Sequence, residues 1–144
     1  MKAEKNQERN ALQKSVQLSK KELETACEQV LFTDNVFYLK IFSNEGQKIE
    51  EKKYTKWLDY DKIKGEMFLR PRQPGDRMQL PGRGFTSAVK KLIQANLPPE
   101  RRSTAYILAD GEGVVCVRGV GCAARVCPDE KTRRLLVLEW FETT

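Results

Sequence analysis

Residues 106–109 and 114–118 are apolar runs of strand character joined by Asp110-Gly111-Glu112-Gly113, a link made of turn-forming residues, and together they predict an antiparallel hairpin. Other strands are legible on either side. Residues 36–42 are aromatic and β-branched, Ser43-Asn44-Glu45-Gly46 supplies a turn, and residues 47–55 can return as a polar edge strand. Residues 57–60 and 67–69 read as two more short strands separated by Asp61-Lys62-Ile63-Lys64-Gly65. Residues 135–141 form a last strand, apolar enough to lie at the centre of a sheet.

Helical spacing is rarer. Residues 1–18 are polar, with only Ala11, Leu12, Val16 and Leu18 to bury, and read as a frayed helix or disordered lead-in. Ser19 and Glu22 have the form of a capping box, and Leu23, Ala26, Cys27, Val30 and Leu31 follow at the spacing of one helix face. This predicts an amphipathic helix of about three turns ending near Thr33. Pro and Gly between residues 71 and 84 predict a long loop without regular structure. Thr86 or Ser87 can then cap a short helix with Val89, Leu92 and Ile93 on one face and Lys90, Lys91 and Gln94 on the other. Pro98-Pro99 stops that helix and starts a turn through Glu100-Arg101-Arg102. Strands outnumber helices and adjoin through turns, so the expected class is α+β, with a mixed, mainly antiparallel sheet and short helices. The chain divides into a lead-in and amphipathic helix (1–34), a hairpin with connecting strands (35–66) and a third segment (67–142).

Charge is concentrated in one part of the chain. The whole carries +6 with a pI near 9.2. Between Lys62 and Arg102 stand ten basic side chains, among them Arg70, Arg72, Arg77, Lys90, Lys91, Arg101 and Arg102, against three acidic ones. Arg70 and Arg72 flank Pro71 at an expected strand end, where both guanidinium groups can project from one face and grip neighbouring phosphates. Pro74-Gly75-Asp76 reads as a tight turn, with Asp76 placed to pair with Arg72 or Arg77 and organise the arginines. The same charges can also serve solubility as a solvated basic face.

Several chemistries lack their residues. There is no histidine, which removes the usual general base at neutral pH and every Ser-His or Cys-His nucleophile pair, so no catalytic residue is assigned. Cys27, Cys116, Cys122 and Cys127 include no Cys-x-x-Cys pair and are expected to be thiols in a reducing compartment rather than metal ligands. Pro81-Gly82-Arg83-Gly84 lacks the full pattern of a nucleotide-binding phosphate loop. Phe37, Tyr38, Trp57, Tyr60, Phe68 and Trp140 lie in apolar strand patterns and are assigned to the core rather than to base stacking. No apolar run approaches the roughly 18 residues of a membrane span, and the basic N-terminus lacks the apolar stretch of a secretory signal, so the chain is expected in the cytoplasm.

Tyr54-Thr55-Lys56-Trp57-Leu58-Asp59-Tyr60-Asp61-Lys62-Ile63-Lys64, followed by Leu69-Arg70-Pro71-Arg72-Gln73-Pro74-Gly75-Asp76, resembles the C-terminal region of bacterial tRNA(Ile)-lysidine synthases. The likeness continues through Leu97-Pro98-Pro99-Glu100-Arg101-Arg102, Leu108-Ala109-Asp110-Gly111, Gly119 and Thr132-Arg133-Arg134-Leu135-Leu136. The resemblance implies a mixed α+β fold similar to part of the phenylalanyl-tRNA synthetase β-chain, with residues 67–142 as a tRNA-binding domain. It further implies an enzyme that uses ATP, with Mg2+, to ligate lysine to the wobble cytidine of a minor isoleucine tRNA. That chemistry would belong to an N-terminal domain with a Ser-Gly-Gly-x-Asp-Ser loop, which this sequence lacks, so no cofactor is expected in this chain. The sequence also departs from the family pattern: lysines usual at the start of the short helix fall on Thr86 and Ser87, and another on Asn96, with Lys90 and Lys91 a turn later as substitutes. A proline common in the family falls near Tyr106, and an acidic residue at Ala124.

The expected role is therefore to hold tRNA, the minor isoleucine tRNA being the implied partner, through Arg70, Arg72, Arg77, Lys90, Lys91, Arg101 and Arg102, with Gly75 and Asp76 as turn organisers. The alternative is a protein-interaction module that docks on a separate catalytic domain. Its signature would be an apolar patch along the helix from Leu23 to Leu31.

Overall fold

Short strands joined by turns dominate the computed structural model, which describes residues 15–26, 28–31, 37–44 and 56–140. In chain order these are β1 (Val16–Leu18), helix α1 (Lys20–Ala26), β2 (Glu28–Leu31), β3 (Phe37–Ser43), β4 (Trp57–Asp59), β5 (Met67–Arg70), β6 (Arg77–Met78) and β7 (Ser87–Ala88). Helix α2 (Val89–Asn96), β8 (Ile107–Asp110), β9 (Gly113–Val117), β10 (Gly121–Cys122) and β11 (Arg134–Trp140) complete the order. A five-stranded sheet runs β1-β5-β8-β9-β10, a four-stranded sheet β2-β3-β11-β4, and β6 and β7 pair alone. Every pairing among the described residues is antiparallel. The α+β class with short helices therefore stands, with the strands divided between two main sheets.

The expected hairpin is β8 and β9, at the inner part of the larger sheet. All of β8 is buried, as is β9 beyond Gly113, which is why these strands read as continuous apolar runs. In β5 burial alternates, with Met67 and Leu69 inside and Phe68 and Arg70 less covered, so the strand delivers Arg70 to its end on the outer side. The last strand, β11, is central as expected, pairing with β3 on one edge and β4 on the other. Leu39, Leu58, Leu136 and Leu138 of the smaller sheet share one buried cluster with Leu69, Ile107, Leu108 and Val115 of the larger.

The N-terminal part departs from expectation. The helix begins as predicted, with Ser19 Oγ accepting the Glu22 N–H at 3.1 Å and Leu23 fully buried, but it stops at Ala26. Val30 and Leu31 lie in β2, opposite Tyr38 and Phe37. Their spacing suits a helix face, but a short apolar run suits a strand as well, and the edge of β3 offers a hydrogen-bonded ladder that an extended helix could not use. Residues 16–18, expected as lead-in, form an edge strand with Val16 opposite Leu69 and Leu18 opposite Met67. Only Leu18 there is fully buried, so the segment carries little apolar signal. Residues 1–14, Cys27 and the expected return strand at 47–55 lie outside the described residues.

Residues 16–18 pair with β5, and β11 pairs with β3 and β4, so strands cross both expected boundaries. Among the described residues no helix is long and apolar enough to cross a membrane.

Candidate nucleic-acid interface

The basic loop after β5 is organised by one carboxylate. Pro74 and Gly75 form the centre of a turn in which the Asp76 N–H donates to Gln73 O at 3.2 Å, and Gly75 takes φ 89°, a conformation that favours glycine. The Asp76 side chain accepts the Gln73 N–H at 2.8 Å. It also receives both ends of the Arg70 guanidinium, Nη1 on Oδ2 and Nη2 on Oδ1, each at 3.0 Å. Arg70 Nη1 further donates to Pro71 O at 3.1 Å, and only 12% of the Arg70 side chain is exposed. Asp76 is thus paired with Arg70 and not with Arg72 or Arg77. Arg70 stands on a strand end whose backbone is already held, so its fork meets the carboxylate without ordering more chain, whereas Arg72 lies in the loop beyond.

The Asp76 backbone continues the same construction. Its carbonyl accepts the Val89 N–H at 2.9 Å and so takes up an N–H of the first turn of α2. This replaces the side-chain cap expected from Thr86 or Ser87: the N-cap residue is Ala88, and Ser87 is paired with Met78 in the two-stranded β6–β7 ladder. That ladder places a short regular piece inside the expected irregular stretch. On α2, Val89, Leu92 and Ile93 are buried and Lys90, Lys91 and Gln94 are exposed, as the helical spacing predicted.

Among the basic side chains between Lys62 and Arg102, Arg70, Lys62 and Arg102 are tied into the fold by several bonds each. Arg70 is held by Asp76. Lys62 Nζ donates to Cys127 O at 2.7 Å and Asp129 Oδ2 at 2.8 Å. Arg102 donates from Nε to Leu97 O at 3.0 Å and from Nη2 to Gln94 O at 3.2 Å, capping the C-terminal end of α2. Arg72, Arg83, Lys90 and Lys91 are exposed, as is Arg77, whose Nη2 reaches Thr86 O at 3.2 Å. The structure therefore joins the backbone of the Arg70–Arg77 loop to the start of α2, the turn that carries Lys90 and Lys91, through Asp76 O–Val89 N and the Arg77–Ala88 pairing. Arg101 and Arg102 belong to the other end of the helix, about 12 Å away for eight residues at the helical rise. Arg101 opens onto a cleft it shares with Arg118 and Trp140.

Sequence reasoning missed a second arginine–carboxylate pair. Asp110 closes the β8–β9 hairpin, and Arg125 grips it through Nη1 on Oδ2 at 3.0 Å and Nη2 on Oδ1 at 2.8 Å. Asp110 also accepts N–H groups of Lys64 at 2.9 Å, Glu112 at 2.9 Å and Gly113 at 3.2 Å, while the Gly111 N–H donates to Lys64 O. Burial alone would raise the Asp110 pKa, but the Arg125 guanidinium and the backbone donors of Lys64 and Glu112 outweigh it and hold the carboxyl below its ordinary value. The Asp-Gly pair was visible as a turn, but nothing in the spacing pointed to Arg125. Phe85 was missed too: it lies outside any strand pattern and is 59% exposed.

Cys116 and Cys122 face each other on β9 and β10, both buried, with their sulfurs 3.1 Å apart as free thiols. Burial and the neighbouring Cys116 push the Cys122 thiol up, and burial raises Cys127 to about 11. Among the described residues no three His, Cys, Asp or Glu side chains converge to hold a metal ion.

Residues 67–140 match the family described as TilS substrate C-terminal domain. A tRNA(Ile)-lysidine synthase of Caldanaerobacter subterraneus subsp. tengcongensis is 35% identical over 88 residues, which is 60% of this chain and 19% of that protein. Another of Symbiobacterium thermophilum is 37% identical over 78 residues, 54% of this chain and 16% of that protein. The match spans less than a fifth of these relatives. A crystal structure of a TILS C-terminal domain aligns with TM-score 0.56 and 24% identity, covering 74% of this chain and 86% of that one, which shows a shared fold. With its family segment running from β5 to the end of β11, this chain belongs to the TilS substrate C-terminal domain family.

Proposed function

We propose that this chain is the tRNA-holding part of a tRNA(Ile)-lysidine synthase, and that it positions a minor isoleucine tRNA while a separate domain ligates lysine to the wobble cytidine. The observation that carries the reading is the Arg70–Asp76 clamp, which fixes a loop with Arg72, Arg77 and Arg83 exposed beside Lys90 and Lys91. Cations on a held backbone lose little freedom when they meet phosphates, and a shape-and-phosphate contact suits an A-form RNA stem. The names of the relatives, tRNA(Ile)-lysidine synthases, support a tRNA as that RNA.

The seven residues proposed from sequence take different parts in this reading. Arg72, Arg77, Lys90 and Lys91 meet the phosphate backbone, Arg101 extends the contact past the far end of α2, and Arg70 and Arg102 keep the surface in shape. ATP and Mg2+ belong with the catalytic domain, which is the second partner, and the cytoplasm is where the tRNA substrate is met. The test is a binding titration of the chain with minor isoleucine tRNA, run beside a ligation assay with ATP and lysine. The expected result is tRNA binding without lysidine formation by the chain alone. Turnover by the isolated chain, or no tRNA binding at low salt, contradicts the proposal.

A further inference from the structure

Among the described residues two large apolar side chains stand in solvent, Phe42 at 43% and Phe85 at 59% exposure. Phe42 has the Lys40 ammonium 4.9 Å from its ring centre, a contact that accounts for an aromatic on a strand surface. Phe85 is at the tip of the basic loop, and the backbone on both sides of it is tied. The Arg83 N–H donates to Leu80 O at 3.3 Å across the Pro81-Gly82 turn, where Gly82 takes φ 79°. The Arg83 carbonyl accepts from Gln79 Nε2, and the Thr86 carbonyl from Arg77 Nη2. A side chain begun at Gly82 or at Gly84 would meet nothing within 4 Å, so this tip stands clear of the rest of the molecule. The loop thus holds a phenyl ring 59% exposed on a tied backbone, with the Arg77 guanidinium on the carbonyl of the next residue and exposed Arg83 two residues before it.

We infer that Phe85 is a stacking platform for an unpaired base of the bound RNA. The inference rests on the RNA-binding reading and adds a contact to bases where that reading has contacts only to phosphates. An unpaired base offers its open face at a single-stranded tail or a bulge, whereas faces within an A-form stem are already covered. Cations beside the ring suit a nucleotide, which brings a phosphate with its base. An apolar protein pocket closing over Phe85 would have to desolvate those same arginines.

The experiment uses the full chain with two RNA hairpins of the same stem, one blunt and one with a single-stranded 3′ tail, each titrated over a salt series. Phe85→Ala is expected to weaken binding to the tailed RNA by about 5- to 100-fold, to leave the blunt RNA nearly unchanged and to leave the salt slope of both unchanged. Phe85→Trp is expected to restore the tailed affinity. Equal losses on the two RNAs, or no loss on either, overturn the stacking role while leaving phosphate binding by the wild type intact. So does a Phe85→Ala defect confined to association with a purified ligase domain. A wild type that binds neither RNA with a steep salt slope fails at the earlier step and removes the RNA-binding reading itself.

Discussion

Arg125 on Asp110 and Arg70 on Asp76 are the same two-pronged contact, with nitrogen–oxygen distances of 2.8–3.0 Å in both, yet they hold different kinds of structure. The Asp110 side chain has no exposed surface, and three backbone N–H groups surround it besides the arginine. It locks the β8–β9 hairpin to the segment at Lys64, and the Arg125 charge, 32% exposed, faces Asp110 and Glu112. The Asp76 pair is itself largely covered, at 10% and 12% exposure, but its neighbours Arg72 and Arg77 face solvent. Both carboxylates consume an arginine. Around the second, further arginines stand exposed beside the pair, so the proposed phosphate contacts are to be sought beside that ion pair rather than in it.

The largest expected effect falls on the first pair. Asp110→Ala removes the acceptor of three backbone N–H groups and of Arg125 and so opens the hairpin turn, which should cost about 3 kcal/mol in chemical denaturation. The sign with pH follows from the lowered pKa of Asp110. Its contribution is present above the unfolded-state value of about 3.9 and is lost as pH falls through the lower folded value. The wild type should therefore lose stability below about pH 4 more steeply than Asp110→Ala. Equal acid limbs for the two proteins would show that this corner does not hold the fold.

At the second pair the stability effect is smaller and the binding effect more informative. Asp76→Ala should cost about 2 kcal/mol, the scale of hydrogen bonds to a charged group. It also makes the chain more positive, so a simple count of charges expects tighter tRNA binding. The clamp account expects the opposite, because Arg72 and Arg77 lose the backbone that presents them. A fluorescence titration with tRNA separates these outcomes, and an affinity that rises on Asp76→Ala reduces the comparison to one of charge alone.

Some of this was legible in the sequence because its causes are local. The hairpin at Asp110-Gly111, the buried stripe of Val89, Leu92 and Ile93, and the turn at Pro74-Gly75 depend on neighbouring residues, and each stands where turn chemistry or period placed it. Asp76 was legible as an organiser, but its partner was not, because choosing Arg70 over Arg72 depends on which side chain a strand end has already fixed. Edge strand β1 finds its partner Leu69 far along the chain, and β2 exists because β3 offers it an edge. No window of local sequence contains either fact. Arg125 and Phe85 escaped for opposite reasons: one is a basic residue drawn into the structure, the other an aromatic held out of it.

The central claim is that the clamped loop meets phosphates, and the salt dependence of tRNA binding tests it most directly. Arg72, Arg77, Lys90, Lys91 and Arg101 together predict a slope of log affinity on log salt of about −4.5 if all five pair with phosphates. Arg72→Ala/Arg77→Ala should flatten that slope by about 2 while Asp110 and the fold stay intact. A double variant that keeps the wild-type slope would place the phosphate contacts elsewhere on the molecule and contradict the account.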